Sequence, residues 1–289
     1  MGDSFRIGAR GDGDGGRDRP VPGHGLRGIP KVKTCLMVMH AREIPECLLS
    51  LRALKIDKVW FRGFTEKQLE TEIRRFVEKT DYERYILVSD DVIVTQQALD
   101  NLLEKQGAGS VVTGWCNIFP GQEIAALEFQ PVTQPRTLTY INIISRTPKF
   151  FLPTLRFAYH HTPIKRLMNW ILYKHFPKLD YVWSQPTLFE TFFVQWALTS
   201  MTREIWQKFP FHYPTSDYAR NGSDAYESIV LYQAGVKMLC ARDSFIYHLA
   251  TKRNFIVGKV KPEVVFEGDP HMMNGFKAEL EYDLDYIHI

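Results

Sequence analysis

The chain has 289 residues, of which 45% are hydrophobic and 13% aromatic, so it can bury a sizeable core in one large domain or two small ones. Its formal net charge of +3 is too small to argue by itself for a nucleic-acid partner. No apolar stretch reaches the ~20 residues that cross a bilayer, and the N-terminus lacks the apolar region of a secretory signal. Four widely spaced cysteines without a CxxC pair favour reduced thiols, so we expect a cytoplasmic protein.

Residues 1–30 form an arm that is rich in Gly, Arg, Asp and Pro and has almost no core-forming side chains. We expect this arm to be disordered. Its GDGDGG stretch at 11–16 matches the spacing of a dinucleotide-binding loop. We reject that match because no strand precedes it, no helix follows it, and its aspartates would repel phosphate.

The next part of the chain alternates between apolar runs and amphipathic segments. In chain order the pattern predicts strand 32–39, helix 44–54, strand 58–61, helix 65–78, strand 85–88, helix 97–105 and strand 110–114. Such alternation is typical of an α/β fold of Rossmann type, with a mostly parallel central sheet flanked by helices. Thr95 is placed to cap the helix that follows it.

Residues 117–190 are irregular and rich in aromatics. Within them, 163–176 has the pattern of a basic amphipathic helix, which could contact a membrane surface peripherally or form a lid or packed helix. Beyond this region the pattern predicts strand 192–199, helix 203–209, helix 223–234 ended by Gly235, and strand 236–241. The tail 251–289 has no clear periodicity.

Two adjacent carboxylates, Asp90 and Asp91, end the third predicted strand. In parallel sheets, ligands bind beyond the carboxyl ends of the strands. A buried unpaired carboxylate is costly, so this pair needs a cation, backbone donors or water. An ordinary turn or helix-entry acid pair is the alternative.

Two segments follow the order of motifs in a known family. The first segment has an apolar strand, then the position of an Asp-x-Asp motif, then a helix; its sequence is YILVSDDVIVTQQALDNLLE. The second segment has an acid that opens a helix, a Gly that ends it, a strand and a late His; its sequence is NGSDAYESIVLYQAGVKMLCARDSFIYHLA. Together they resemble GT-A fold glycosyltransferases, in particular the large inverting group that uses nucleotide-diphosphate sugars. The resemblance implies a GT-A-like catalytic domain over 31–250. It makes 117–190 an acceptor-side or lid insertion, and 251–289 a tail packing on or near the site.

The resemblance also implies a divalent cation, Mn²⁺ or Mg²⁺, as cofactor. Asp91 matches the last position of Asp-x-Asp and is expected to bind the metal, and His248 is expected as a further metal ligand or diphosphate contact. Asp90 is expected to face ribose or sugar hydroxyls, or to bind the metal through water. Ser89 departs from the motif by replacing its first Asp, which removes one charge.

The nucleotide is expected near the ends of the first two strands, against His40, Arg42 and Arg62. Many relatives place an acid after the second strand to hold the ribose or base, and this chain has Arg62-Gly63 there. Lys252 and Arg253 follow the late His and could pair with the diphosphate, or form a solvated basic turn.

Asp224 aligns with the catalytic base of the family, which takes the proton of the acceptor hydroxyl opposite the leaving group. The helix dipole would help to keep it ionised. The alternative is structural, because Asp224 and Glu227 have the spacing of a capping box. Ser223 stands where the family often has a first acid.

These features predict a metal-dependent glycosyltransferase that moves a sugar from a nucleotide-diphosphate donor to a glycan, lipid-linked or small-molecule hydroxyl acceptor. A non-catalytic binder of nucleotide sugars with the same fold is the alternative. A sugar nucleotidyltransferase would need a Gly-rich loop after the first strand, where this chain has HAREIPE. A phosphate-regulated receiver domain would use a similar acid pair but not the second motif.

Overall fold

The structure, a computed structural model, describes residues 32–118, 120–121, 123–129, 177–212, 223–251, 253–273 and 276. The predicted disordered arm and the predicted helix 163–176 lie outside the described residues.

The first half of the fold alternates strands and helices as the sequence predicts. Its elements are β1 Thr34–His40, α1 Pro45–Ala53, β2 Asp57–Arg62, α2 Glu66–Lys79, β3 Arg84–Ser89, β4 Val92–Ile93, α3 Gln96–Lys105 and β5 Val111–Cys116. Helix α2 begins at a capping box between Thr65 and Gln68, and the hydroxyl of Thr95 accepts a 3.1 Å hydrogen bond from the Ala98 N–H at the start of α3. These caps satisfy backbone donors that a helix start leaves without partners.

The second half is less regular. Its elements are α4 Leu179–Trp183, β6 Leu188–Thr191, β7 Thr199–Thr202, α5 Arg203–Lys208, α6 Ser223–Gln233, β8 Met238–His248 and β9 Glu263–Glu267, with 3₁₀ turns at Gln106–Ala108 and Pro270–Met273. The predicted strand 192–199 was wrong. The carbonyl groups there accept single hydrogen bonds from the ends of other strands and form no regular strand pairing. Ser89 N–H donates to Trp196 O at 2.6 Å, and Gly114 N–H donates to Leu198 O at 2.8 Å.

The described strands form one sheet in the order β4-β8-β5-β7-β3-β1-β2-β9, with β6 paired to β8. The pairs β1–β2, β1–β3 and β5–β8 are parallel, and the remaining five pairings between described strands are antiparallel. The mostly parallel sheet that the sequence predicts is therefore a mixed one. Strand β7 runs against both its neighbours, β3 and β5, and so interrupts the parallel order.

Helices cover both faces of this sheet. Along β1, Cys35 and Met37 join one apolar cluster while Leu36 and Val38 join the other, because successive side chains of a strand point to opposite faces. Helices α2 and α5 contribute to the first cluster, and α1 and α3 to the second. The described part of the chain is thus a mixed α/β fold, in which the loops after the parallel strands β1 and β3 lie at the same edge of the sheet. In the described part of the chain, every helix is too short or too polar to cross a bilayer.

Candidate functional site

The acid pair lies where β1 and β3 end side by side. Asp90 follows β3 and is fully buried, and its Oδ2 accepts hydrogen bonds from the backbone N–H groups of Ala41, at 2.6 Å, and Arg42. Because β1 and β3 are parallel neighbours, the loops after them meet at the same sheet edge. Burial raises the pKa of Asp90 to about 7, although the charge of Arg42 acts to lower it. Asp90 therefore fastens the two loops beneath the site.

Asp91 points the other way and is surrounded by donors. Its Oδ1 accepts a 2.7 Å hydrogen bond from the Ser89 hydroxyl, and its Oδ2 accepts one from Arg42 Nη1. The same Oδ2 lies 3.4 Å from His248 Nε2. Burial acts to raise the pKa of Asp91, but His248, Arg42 and Ser89 more than offset it and hold the pKa well below its usual range. Asp91 is therefore a carboxylate under ordinary conditions.

His248 reaches Asp91 through strand pairing. It is the last residue of β8, where it pairs with Val92 of β4 directly after the acids. Its Nδ1 donates to the carbonyl of Ile118 at 3.0 Å, and Asn117 holds its backbone by two hydrogen bonds of 2.9 and 2.8 Å. Burial alone lowers the pKa of His248, but the neighbouring Asp91 carboxylate outweighs it and the pKa lies above its usual value.

Arg42 places a positive charge between the two acids. Its Nε lies 3.1 Å from Asp90 Oδ1, and its Nη1 contacts both Asp91 and, at 3.1 Å, the carbonyl of Thr251. The Nε–Oδ1 contact is close but not aligned, so among the described residues neither atom has a hydrogen-bond partner. The guanidinium also lies 5.2 Å from the centre of the Phe255 ring.

Asp224 lies in the first turn of α6. Its Oδ1 accepts a 2.8 Å hydrogen bond from the N–H of Ala225. The capping-box alternative needs Asp224 at the N-cap, but the helix already begins at Ser223 and Asp224 lies inside its first turn. Ser223, one residue earlier, accepts a 2.8 Å hydrogen bond from Trp196 Nε1 and so fixes the helix start. Burial raises the pKa of Asp224 to about 6.

One cleft of about 730 Å³ unites these groups. Asp91, His248, Asp224 and Arg42 all line it. The rest of its described lining is largely apolar and includes Met39, Phe64, Leu69, Ile118, Phe193, Trp196, Phe211, Phe255 and Val257. The acid after β3 and the acid opening α6, which are 133 positions apart in the chain, thus face a common space.

Four described residues that were predicted to contact the donor do not line this cleft. Asp90, expected to face ribose or sugar hydroxyls, is fully buried, and its carboxylate accepts from the backbone of Ala41 and Arg42 instead. His40 is buried edge-on against Trp60, with ring centres 5.7 Å apart. Arg62 is held by the carboxylates of Glu43, at 3.1 Å, and Glu263, at 2.8 Å. Arg253 is exposed outside the cleft.

Lys252, which was also assigned to the donor, lies outside the described residues. His40 and Arg62 are the last residues of the adjacent strands β1 and β2. The β2–β9 pairing brings Glu263 beside Arg62 and directs the Arg62 charge away from the cleft.

Glu66 is a candidate that the sequence did not reveal. It lies in the first turn of α2, is exposed, and lines the cleft beside Phe64 and Leu69. The family resemblance places an acid directly after β2, whereas Glu66 comes four residues after the end of that strand. The capping box at Thr65 and Gln68 could have located it, because that motif fixes the start of the helix and places Glu66 in its first turn.

Two neighbouring groups could hold a metal ion, the Asp91 carboxylate and the His248 imidazole. Within the described ranges, no group of three or more His, Cys, Asp or Glu side chains is arranged to bind one. Two protein ligands on an open cleft suit a cation that completes its shell with phosphate oxygens and water, as Mg²⁺ and Mn²⁺ do with nucleotides. The donor set fits such an ion, provided that it takes the place of Arg42 on Asp91 Oδ2.

No protein-family model and no curated sequence matches the chain. Among solved structures, the chain is similar to A197 from STIV, at 12% sequence identity and a TM-score of 0.45, over 82% of this chain and 95% of that one. At that score the likeness carries no argument, and what can be said of this chain rests on its own residues.

Proposed function

We propose that this chain is a GT-A-type glycosyltransferase that moves a sugar from a nucleotide-diphosphate donor to a hydroxyl acceptor, with inversion. The observation that carries the proposal is the single cleft shared by Asp91, His248 and Asp224. Its volume of about 730 Å³ lies within the range of small-molecule sites. The order of the two sequence motifs assigns the same residues to donor and base.

The diphosphate of the donor would bind at the polar end of the cleft, beside Asp91, His248 and Arg42. Asp91 and His248 would hold a divalent cation there, and this cation would neutralise charge on the departing diphosphate. Ser89 and Asn117 keep the two ligands in place, through the 2.7 Å bond to Asp91 and the bonds to the His248 backbone. Such supporting contacts fix ligand orientation.

Asp224 would act as the general base. Its Oδ1 is occupied by the Ala225 N–H, so Oδ2 is the atom that would accept the proton of the acceptor hydroxyl. The hydroxyl oxygen forms a bond to the anomeric carbon as the bond from that carbon to the diphosphate oxygen breaks, and the proton passes to Asp224. A pKa of about 6 suits this role, because the base is ionised at neutral pH yet basic enough to take a proton.

The nucleoside would bind towards α2. Phe64 and Leu69 offer an apolar surface for the base, and the exposed Glu66 carboxylate can accept hydrogen bonds from ribose hydroxyls. This arrangement replaces His40 and Arg62 as the expected nucleoside contacts. The acceptor would enter beside Asp224, where Phe193, Trp196 and Phe211 line the cleft.

A thermal-shift screen of UDP-, GDP- and ADP-sugars, each with and without Mn²⁺, tests the donor assignment. We expect one nucleotide class to raise the melting temperature, and more so with Mn²⁺. The same donors are then assayed for hydrolysis and for transfer to sugar and lipid-linked acceptors. The proposal fails if no nucleotide sugar stabilises the protein in either condition.

Asp224→Asn separates an enzyme from a non-catalytic binder. An enzyme keeps donor binding and loses turnover in this variant. A binder shows donor stabilisation in both proteins and turnover in neither.

A further inference from the structure

Arg42 already holds the place on Asp91 that a cation would need. Its guanidinium contacts both Asp90 and Asp91, and it is the only described basic side chain with an ion pair to the acid pair apart from His248. The Arg42 side chain is only 18% exposed, so little water screens these contacts. Two adjacent buried carboxylates therefore have their charge balanced from within the chain.

The contact between Arg42 and Asp91 is in direct competition with metal binding. Arg42 Nη1 donates to Asp91 Oδ2, the same oxygen that faces His248 Nε2. An ion held between Asp91 and His248 would bind the oxygen that faces His248, and its charge would repel the guanidinium that donates to the same oxygen. Metal binding and the contact between Arg42 and Asp91 therefore oppose each other.

The chain segment beside Arg42 is held in place by backbone hydrogen bonds that do not involve the Arg42 side chain. Leu249 N–H donates to Asp91 O and Ile256 N–H to Ala41 O, both at 2.9 Å, so backbone bonds keep this segment on the loops after β1 and β3. Phe255 and Val257 of the same segment line the cleft. Arg42 itself lines this cleft, so a rotation of its side chain can turn the charge towards a ligand there while these backbone bonds stay in place.

We propose that Arg42 exchanges partners: in the ligand-free chain it occupies the place of the cation on Asp91, and when a divalent cation binds it turns to the diphosphate of the donor. This rests on the proposed function, because it assumes that a cation and a diphosphate share the cleft. It gives Arg42 opposite effects on the two ligands. It opposes the metal alone and stabilises the nucleotide once the metal is present.

The test compares wild type with Arg42→Ala by isothermal titration, first with Mn²⁺ alone and then with UDP, GDP and ADP in saturating Mn²⁺. We expect the variant to bind Mn²⁺ at least tenfold tighter, roughly the effect of removing a competing charged hydrogen bond. We expect it to bind the nucleoside diphosphate at least roughly tenfold more weakly, the loss expected for one charge-assisted contact. Arg74→Ala, which removes an exposed arginine of α2, controls for the loss of one positive charge.

Arg42→Lys guards against a variant that does not fold. It keeps the charge without the forked geometry, so its Mn²⁺ affinity should lie between those of wild type and Arg42→Ala. Asp91→Asn should abolish the gain in Mn²⁺ affinity when combined with Arg42→Ala. The exchange is refuted if Arg42→Ala and Arg42→Lys bind Mn²⁺ no tighter than wild type. If the Mn²⁺ gain is seen but no nucleoside diphosphate binds any protein, the metal half stands and the proposed function fails.

Discussion

Glu227 should make the stability of this protein fall as pH rises. It is 2% exposed, and burial raises its pKa from 4.5 to about 8. The folded chain therefore keeps a proton that the unfolded chain releases between these two values. The free energy of unfolding declines through that window and levels off above the folded pKa. Between pH 5 and pH 8 the decline amounts to roughly 4 kcal/mol, since each pH step costs about 1.4 kcal/mol for one proton.

Glu227→Gln removes the charge while nearly keeping the shape. The free energy of unfolding of the variant minus that of wild type should therefore be larger at pH 8.5 than at pH 5, by on the order of 4 kcal/mol. Urea unfolding followed by tryptophan fluorescence at several pH values measures this directly. Glu204→Gln, at an exposed glutamate of α5, is the matched control and should run parallel to wild type. If Glu227→Gln also runs parallel to wild type, Glu227 is not held protonated in the fold and the reasoning is wrong.

Three other predictions follow from the site and from a helix cap. Asp224→Asn should lower turnover by roughly 100-fold or more while donor binding stays unchanged. In wild type, kcat/KM should rise with pH through about 6 as Asp224 ionises, and a flat pH profile would contradict the role of Asp224 as base. Asn117→Ala should weaken Mn²⁺ affinity about tenfold, because His248 loses the amide that holds its backbone; unchanged affinity in a titration would contradict this. Thr65→Ala should lower the free energy of unfolding by about 1 kcal/mol in denaturant titrations, and Thr71→Ala, on the exposed side of α2, should lower it by less.

The parts of the fold that the sequence predicted are those set by local pattern. The buried runs of β1, β2, β3 and β5 and the amphipathic helices between them are confirmed, because unbroken apolar runs and helical spacing are strong local signals. Strand β7 was misplaced, since the apolar stretch before it is buried as irregular chain. Strand β9 was missed because it is an edge strand whose residues are only partly buried or exposed.

In the candidate site, too, local sequence pattern predicted some residues correctly and long-range contacts decided the others. Position relative to strand and helix ends was enough to bring Asp91, His248 and Asp224 to one cleft. It was not enough to direct Arg62, whose orientation depends on Glu263, 201 residues later. The bridging position of Arg42 depends likewise on Thr251 and Phe255, which no local pattern connects to it. Contacts across long sequence separations decide which polar side chain faces a ligand.

The two serines that replace expected acids each make a contact that orders the proposed site. Ser89 donates to Asp91 at 2.7 Å and helps to lower its pKa, which an aspartate at 89 could not do when ionised. Ser223 accepts from Trp196 and orders the start of the helix that carries Asp224. Acids at both positions would add negative charge to a cleft that is proposed to receive a diphosphate, while Arg42 is already engaged by two carboxylates. With serines at these positions, Asp90 and Asp91 keep their contacts with Arg42, and the cleft carries less negative charge to repel a diphosphate.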